Sequence, residues 1–139
     1  NKNLERVVAA LAGLPVELVV VGDLTAAQRA LLADSGLTVE HHEGLSRERL
    51  LTEYQRCDIV AFVSTYEGFG LPILEAQATG RPVVTSTLCS MPEVVGDGGI
   101  TVDPTDVAAI RAAFMRLIDE PAHRDAVVAA GLRNVQHYR

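Results

Sequence analysis

A chain of 139 residues, 48% apolar and 22% charged, has enough material for one hydrophobic core, which excludes a small disulfide-stapled scaffold. A formal net charge of -6 and a pI near 5.1, with eleven scattered arginines and Lys2 as the sole lysine, exclude the clustered basic face of a nucleic-acid binder. Cys57 and Cys89 belong to no CxxC pair, so neither a zinc knuckle nor a thioredoxin-type redox centre is expected, and both read as reduced thiols of a cytoplasmic protein. No apolar run approaches the roughly 20 residues that span a bilayer, and no signal-peptide pattern is present. Any peripheral contact with the inner face of a membrane would come from other parts of a longer protein.

Leu4, Val7, Val8 and Leu11 recur at helical spacing, and "ELVVVG" (17–22) is a short β-branched strand ending in Gly22. Thr25 and Gln28 form a capping box ahead of "AAQRALLADSG", which Gly36 stops; "TVEHH" is the second strand. "SRERLLTEYQRC" is helical, "DIVAFVS" is a third strand, and "LPILEAQATG" is a helix with Pro72 in its first turn. "RPVVTS" is a fourth strand, a short helix follows near Met91 to Val95, and "GITV" is a fifth strand. Asp103-Pro104-Thr105 opens a helix with Val107, Ile110, Phe114, Leu117 and Ile118 on one face, and Pro121 separates it from the last helix. Short strands rich in Val and Ile, alternating with helices, predict a doubly wound α/β domain with a parallel sheet covered on both faces. Such a unit normally begins on a strand. This chain opens in a helix, so a first strand is expected to precede it.

In an open parallel sheet ligands sit beyond the carboxyl ends of the strands, which directs attention to the loops after Gly22, His42, Val63, Ser86 and Val102. The third contains "STYEGFGLPILEA" (64–76), with Glu67 and Glu75 on either side of Gly68-Phe69-Gly70. The glycines let the backbone approach a ligand, and the amides of 69–71 at a helix N-terminus suit a phosphate. Two carboxylates would repel a phosphate, so they must bond something else. Taken by itself, a lone GxG is more often an ordinary strand-to-helix connection.

"YEGFGLPILEAQATGRPVVTS" and "MPEVVGDGGITVDP" together resemble the signature of the large GT-B type retaining glycosyltransferase family, the glycosyl transferases group 1, and specifically its C-terminal, donor-binding Rossmann-like half. "NKNLERVVAAL", "LVVVGD", the helix into "CDIVAFVS" and the two glutamates eight positions apart follow the family's order. The resemblance implies a nucleotide diphosphate sugar donor, a UDP-, GDP- or ADP-sugar, with no required cofactor and no metal. It implies that Glu75 accepts hydrogen bonds from the ribose hydroxyls, as a carboxylate with two acceptor oxygens can. Glu67 would bond the donor sugar and favour positive charge at its anomeric carbon, and Lys2 would neutralise the departing diphosphate. Gly22, Gly68, Phe69, Gly70 and Leu71 would line the phosphate side, and Gly44 and Leu45 in "HHEGLSRE" would give backbone contacts to the base.

The family pairs its lysine with an arginine on or just after the preceding strand, which this sequence lacks. The acceptor, a sugar, lipid or glycan, would be bound mainly by the other half of a two-domain enzyme, and residues 1–139 alone are expected to be inactive. "TSTLCSMPEVV" departs from the commoner glycine pair at Cys89-Ser90, which makes Cys89 a loop residue with no paired base. Glu93 reads as a capping charge. His41 and His42 read as solvated or capping side chains, with no partner ligand at a metal-binding spacing.

Other classes fit less well. A glycoside hydrolase holds its two carboxyls across an open cleft, which one turn-helix unit does not do. A nicotinamide dehydrogenase would show GxGxxG after its first strand, where "VVGDLTAAQ" has one glycine. A phosphoacceptor receiver needs a later lysine, which is absent. A non-enzymatic nucleotide-binding module and a nucleotide-sugar epimerase-like domain are the remaining alternatives.

Overall fold

The computed structural model of the chain describes residues 2–66 and 69–138. Among these, seven α-helices alternate with five parallel strands in an α/β fold. The order is α1 (Leu4–Leu11), β1 (Glu17–Val21), α2 (Ala26–Asp34), β2 (Thr38–His42), α3 (Arg47–Arg56), β3 (Val60–Phe62) and α4 (Leu71–Ala78). It continues with β4 (Val83–Ser86), α5 (Met91–Val95), β5 (Gly99–Val102), α6 (Val107–Asp119) and α7 (Pro121–Val135), and closes on a 3-10 turn (Gln136–Tyr138).

The strands form two sheets, not one: β1 pairs with β2, in register from Glu17 against Thr38 to Val21 against His42, while β4 lies between β3 and β5. Strand alternation divides the second sheet between two cores. Val84 points with Val63 and Val102 into a cluster with Val7 and Leu11 of α1 and Ile110, Phe114 and Leu117 of α6. Val83, its neighbour, faces the other way, against Ile73 of α4, Met91, Val94 and Val95 of α5, and Val135 of α7. Ile73, Ile110 and Leu117 have no exposed surface, and each contributes about 1.5–3 kcal/mol by burial. A smaller cluster of Leu4, Val8 and Leu32 seats α1 and α2 on β1 and β2.

Local chemistry fixes the ends. The capping box forms in full: Gln28 N–H donates to Thr25 Oγ1 and Thr25 N–H to Gln28 Oε1. Buried Asn3, in the left-handed region at φ 60°, precedes α1 and donates through Nδ2 to the Pro104 carbonyl at 2.6 Å. That bond ties the start of α1 to the loop after β5. Helix α6 starts later than Asp103-Pro104-Thr105 suggested. Asp103 spends its carboxylate on the Thr105 N–H (2.9 Å) and hydroxyl (2.7 Å), which closes a turn and lowers its pKa, and Asp106 caps the helix through Ala109 N–H. No helix among the described residues is long and apolar enough to cross a membrane.

Candidate functional site

Residues with chemistry gather beyond the carboxyl ends of the strands. Gly22 follows β1 at φ +118°, a conformation other residues avoid, and a Cβ added there would collide with Lys2 Nζ. The bare glycine is what lets the exposed Lys2 ammonium lie over the end of β1, where it donates to the Val21 carbonyl at 3.4 Å. Gly22 is fixed from both sides: its N–H donates to the His42 carbonyl (2.9 Å), and its own carbonyl accepts from the His41 ring at 2.6 Å.

After β3, Gly70 takes the left-handed region at φ 80° and precedes α4, with Pro72 in the first turn and no side-chain cap. Phe69 and Leu71 on either side are more than half exposed. The Phe69 ring meets Tyr138 edge-on, with centroids 5.9 Å apart. Glu67 and Gly68, expected at the donor sugar and the phosphates, lie outside the described residues.

One turn into α4, Glu75 is mostly buried, and its oxygens are both engaged by α3. Tyr54 donates its hydroxyl to Oε1 at 3.1 Å, and Arg47 Nη1 donates to Oε2 at 3.1 Å. Burial, then the charge of Glu75, pushes the Tyr54 phenol well above its usual range, so it remains a donor. Arg47 is the first residue of α3, directly after Ser46, whose hydroxyl accepts from Arg49 N–H and caps the helix. Gly44, at φ +62°, and Leu45 immediately precede that cap. The fold therefore brings Glu75 beside the 44–47 segment, and the two contacts join α3 to α4. Neither Tyr54 nor Arg47 was anticipated; the bonds cross 21 and 28 residues, and no local spacing signals them.

His41 and His42 need correction. They are only partly solvated and both are engaged: His41 is held by Gly22 and lies 3.5 Å from Glu43, and His42 bonds Glu40 at 2.5 Å with Glu53 at 3.8 Å. Glu40, His42 and Glu53 stand close enough to share a cation, although nothing in their spacing joins Glu53 to the pair. The group already has one in Arg56, which bonds Glu53 at 2.8 Å and Glu40 at 3.1 Å. Arg56, and next His42, holds the Glu40 carboxyl down at about 2, while the two glutamates raise the guanidinium.

The thiols offer no nucleophile. Half-buried Cys57 donates to the Tyr54 carbonyl, and burial raises its pKa. Cys89 is exposed, at φ +56°. Glu93 lies in the first turn of α5, as a capping charge would. A shallow hollow bounded by Gly13, Leu14, Gly36 and Leu37 lies at the opposite, amino-terminal ends of β1 and β2, away from all of these groups.

Over 85 residues the chain is 44% identical to an O-antigen chain mannosyltransferase B of Escherichia coli, covering 61% of this chain and 22% of that enzyme, so it spans about a fifth of that relative's length. Among solved structures, a sucrose-phosphate synthase from Thermosynechococcus elongatus superposes with a TM-score of 0.87 at 29% identity, over 98% of this chain and 38% of that one. HepE of Anabaena, solved in complex with UDP-glucose, superposes with a TM-score of 0.85 at 25% identity, over 98% of this chain and 41% of that one. The family model of glycosyl transferases group 1 matches residues 1–133, and the chain belongs to that family.

Proposed function

We propose that this chain is the donor-binding, C-terminal half of a retaining glycosyltransferase and holds a UDP-, GDP- or ADP-sugar at the carboxyl ends of its strands. The observation that carries the reading is Glu75: a mostly buried carboxylate at the base of the loop after β3, beside the 44–47 segment. In this reading its oxygens accept the vicinal hydroxyls of the ribose, and the base lies along the backbone of Gly44 and Leu45. The diphosphate is neutralised by Lys2, above Gly22, and by the amides of 69–71 at the start of α4. Phosphate charge is met by these groups and no resident metal is required, so a chelator leaves binding unchanged. To Glu67, which lies outside the described residues, this reading assigns the donor sugar and the stabilisation of positive charge at its anomeric carbon. HepE, solved with UDP-glucose, supports a nucleotide-sugar ligand.

Residues 1–139 bind the donor without turning it over, because transfer requires an acceptor held against the anomeric carbon by the rest of the enzyme. That acceptor is a sugar, lipid or glycan, met in the cytoplasm or at the inner face of a membrane. Calorimetric titration with UDP, GDP and ADP, then with the monophosphate and nucleoside of whichever binds, tests the phosphate site. Affinity should fall at each loss of a phosphate, and Lys2→Ala should flatten the series. A nucleoside that binds as well as its diphosphate would remove the phosphate site from the reading, and turnover by residues 1–139 would refute the division of labour.

A further inference from the structure

Tyr54 and Arg47 each occupy one oxygen of Glu75, but they are different kinds of partner. The Arg47 side chain is 82% exposed at the start of its helix, so its ion pair is screened and weak. Tyr54 is held in place. Its ring packs against the Ile73–Met91–Val95 core, and its carbonyl accepts from Arg81 Nε at 3.1 Å. Its hydroxyl is therefore a fixed point 3.1 Å from Oε1.

A carboxylate has about four lone-pair sites, and these two donors use one on each oxygen. Among the described residues no other donor reaches these oxygens, so one site on each remains, and a vicinal diol presents two donors at matching separation. We propose that Tyr54 is a positioning residue that sets the orientation of the Glu75 carboxylate, so that its two unused sites together receive the ribose 2′- and 3′-hydroxyls. The proposal rests on the reading of Glu75 as the diol acceptor. Without the phenol, the carboxylate can rotate about its last torsion and meet one hydroxyl instead of two. A simple tie between α3 and α4 would act differently: losing it would shift the helices and weaken every nucleotide alike.

The diol supplies the discriminating probe. UDP, GDP and ADP and their 2′,3′-dideoxy counterparts are titrated calorimetrically into the full chain as wild type, Tyr54→Phe and Glu75→Ala. Tyr54→Phe keeps the ring in the core and removes only the hydroxyl. The wild type should prefer the diol form by roughly tenfold or more, as expected for two hydrogen bonds to a charged group. Glu75→Ala should abolish that preference. Tyr54→Phe should reduce it by roughly three- to tenfold while leaving dideoxy affinity within about twofold. Equal losses for both ligand forms, or a full preference retained in Tyr54→Phe while Glu75→Ala loses it, would overturn the positioning role and leave Glu75 as the diol acceptor. A preference that survives Glu75→Ala, or no binding of any of the three nucleotides, would overturn both.

Discussion

Replacing Gln77 with methionine should destabilise the domain by about 1–3 kcal/mol, because the glutamine joins three helices from a position only 1% exposed. It lies on α4, two residues beyond Glu75. Its Nε2 donates to the Val95 carbonyl at 2.8 Å, and its Oε1 accepts from Asn134 Nδ2 of α7 at 2.8 Å. Methionine conserves most of the volume and removes both bonds. The two broken ends are not equal. The Val95 carbonyl keeps the Gly98 N–H at 3.1 Å, so the cost is set by the half-buried Asn134 donor, which among the described residues retains only the Val94 carbonyl. Gln77→Ala adds a cavity and should cost about 3–5 kcal/mol. Urea denaturation followed by circular dichroism measures both, and at this chain length about 1 kcal/mol corresponds to roughly 3–5 °C in melting temperature. Asn134→Ala combined with Gln77→Met should fall short of the sum of the single effects by at least about 0.5 kcal/mol. An unchanged midpoint with an unchanged slope in Gln77→Met would refute the accounting, and strict additivity would refute the coupling.

Gly98→Ala would place a β-carbon 2.5 Å from the Gly131 Cα of α7 and should cost at least about 1–3 kcal/mol by overpacking, read as a lowered urea midpoint. Gly22→Ala would drive Lys2 from its place and should flatten the phosphate series as Lys2→Ala does; a wild-type series in that variant would separate Lys2 from the phosphates. Cys89 at φ +56° bears a left-handed strain of about 1–2 kcal/mol that glycine escapes at an entropic cost of about 0.5–1 kcal/mol, so Cys89→Gly should be neutral to slightly stabilising by thermal melting. Glu40, whose folded pKa is depressed from 4.5 to about 2 by Arg56 and His42, adds stability that is complete above pH 4.5 and is lost as pH falls toward 2. Glu40→Gln should flatten the melting profile in that window, less so at high salt, and parallel profiles would count against it.

The elements were readable wherever their causes are local. The Thr25–Gln28 box makes both bonds, the Leu4–Val7–Val8–Leu11 stripe is buried as its spacing requires, and β1, β2, β4 and β5 fall on the expected runs. The α6 boundary was misread because Asp103 and Asp106 are both plausible caps, and only the turn closed by Thr105 decides between them. The division of the strands into two sheets is a matter of which edges pair, and composition is silent on that. In the site, the position of Glu75 was legible because Gly70 and Pro72 set the start of its helix. Its partners were not. Tyr54 reads as one more residue of a polar helix, and the Gln77–Asn134 bond spans 57 residues.

In the proposed reading, those partners bear on how an acid can stand near a diphosphate. An unpaired carboxylate roughly 8 Å from a phosphate charge repels it by about 0.5 kcal/mol in water and about 2 kcal/mol at an effective dielectric of 20. Arg47 at 3.1 Å from Glu75 offsets part of that charge, weakly because its guanidinium is largely exposed and screened. The guanidinium is exposed and, among the described residues, singly bonded, so it can remain beside the carboxylate while a diol takes the unused lone pairs. Tyr54 contributes direction and no charge. In the proposed reading, orientation and partial neutralisation of Glu75 are divided between two residues of α3, and the two should separate experimentally. Arg47→Ala should weaken diphosphates slightly more than nucleosides and keep the diol preference, whereas Tyr54→Phe should weaken nucleosides and diphosphates alike and reduce the diol preference.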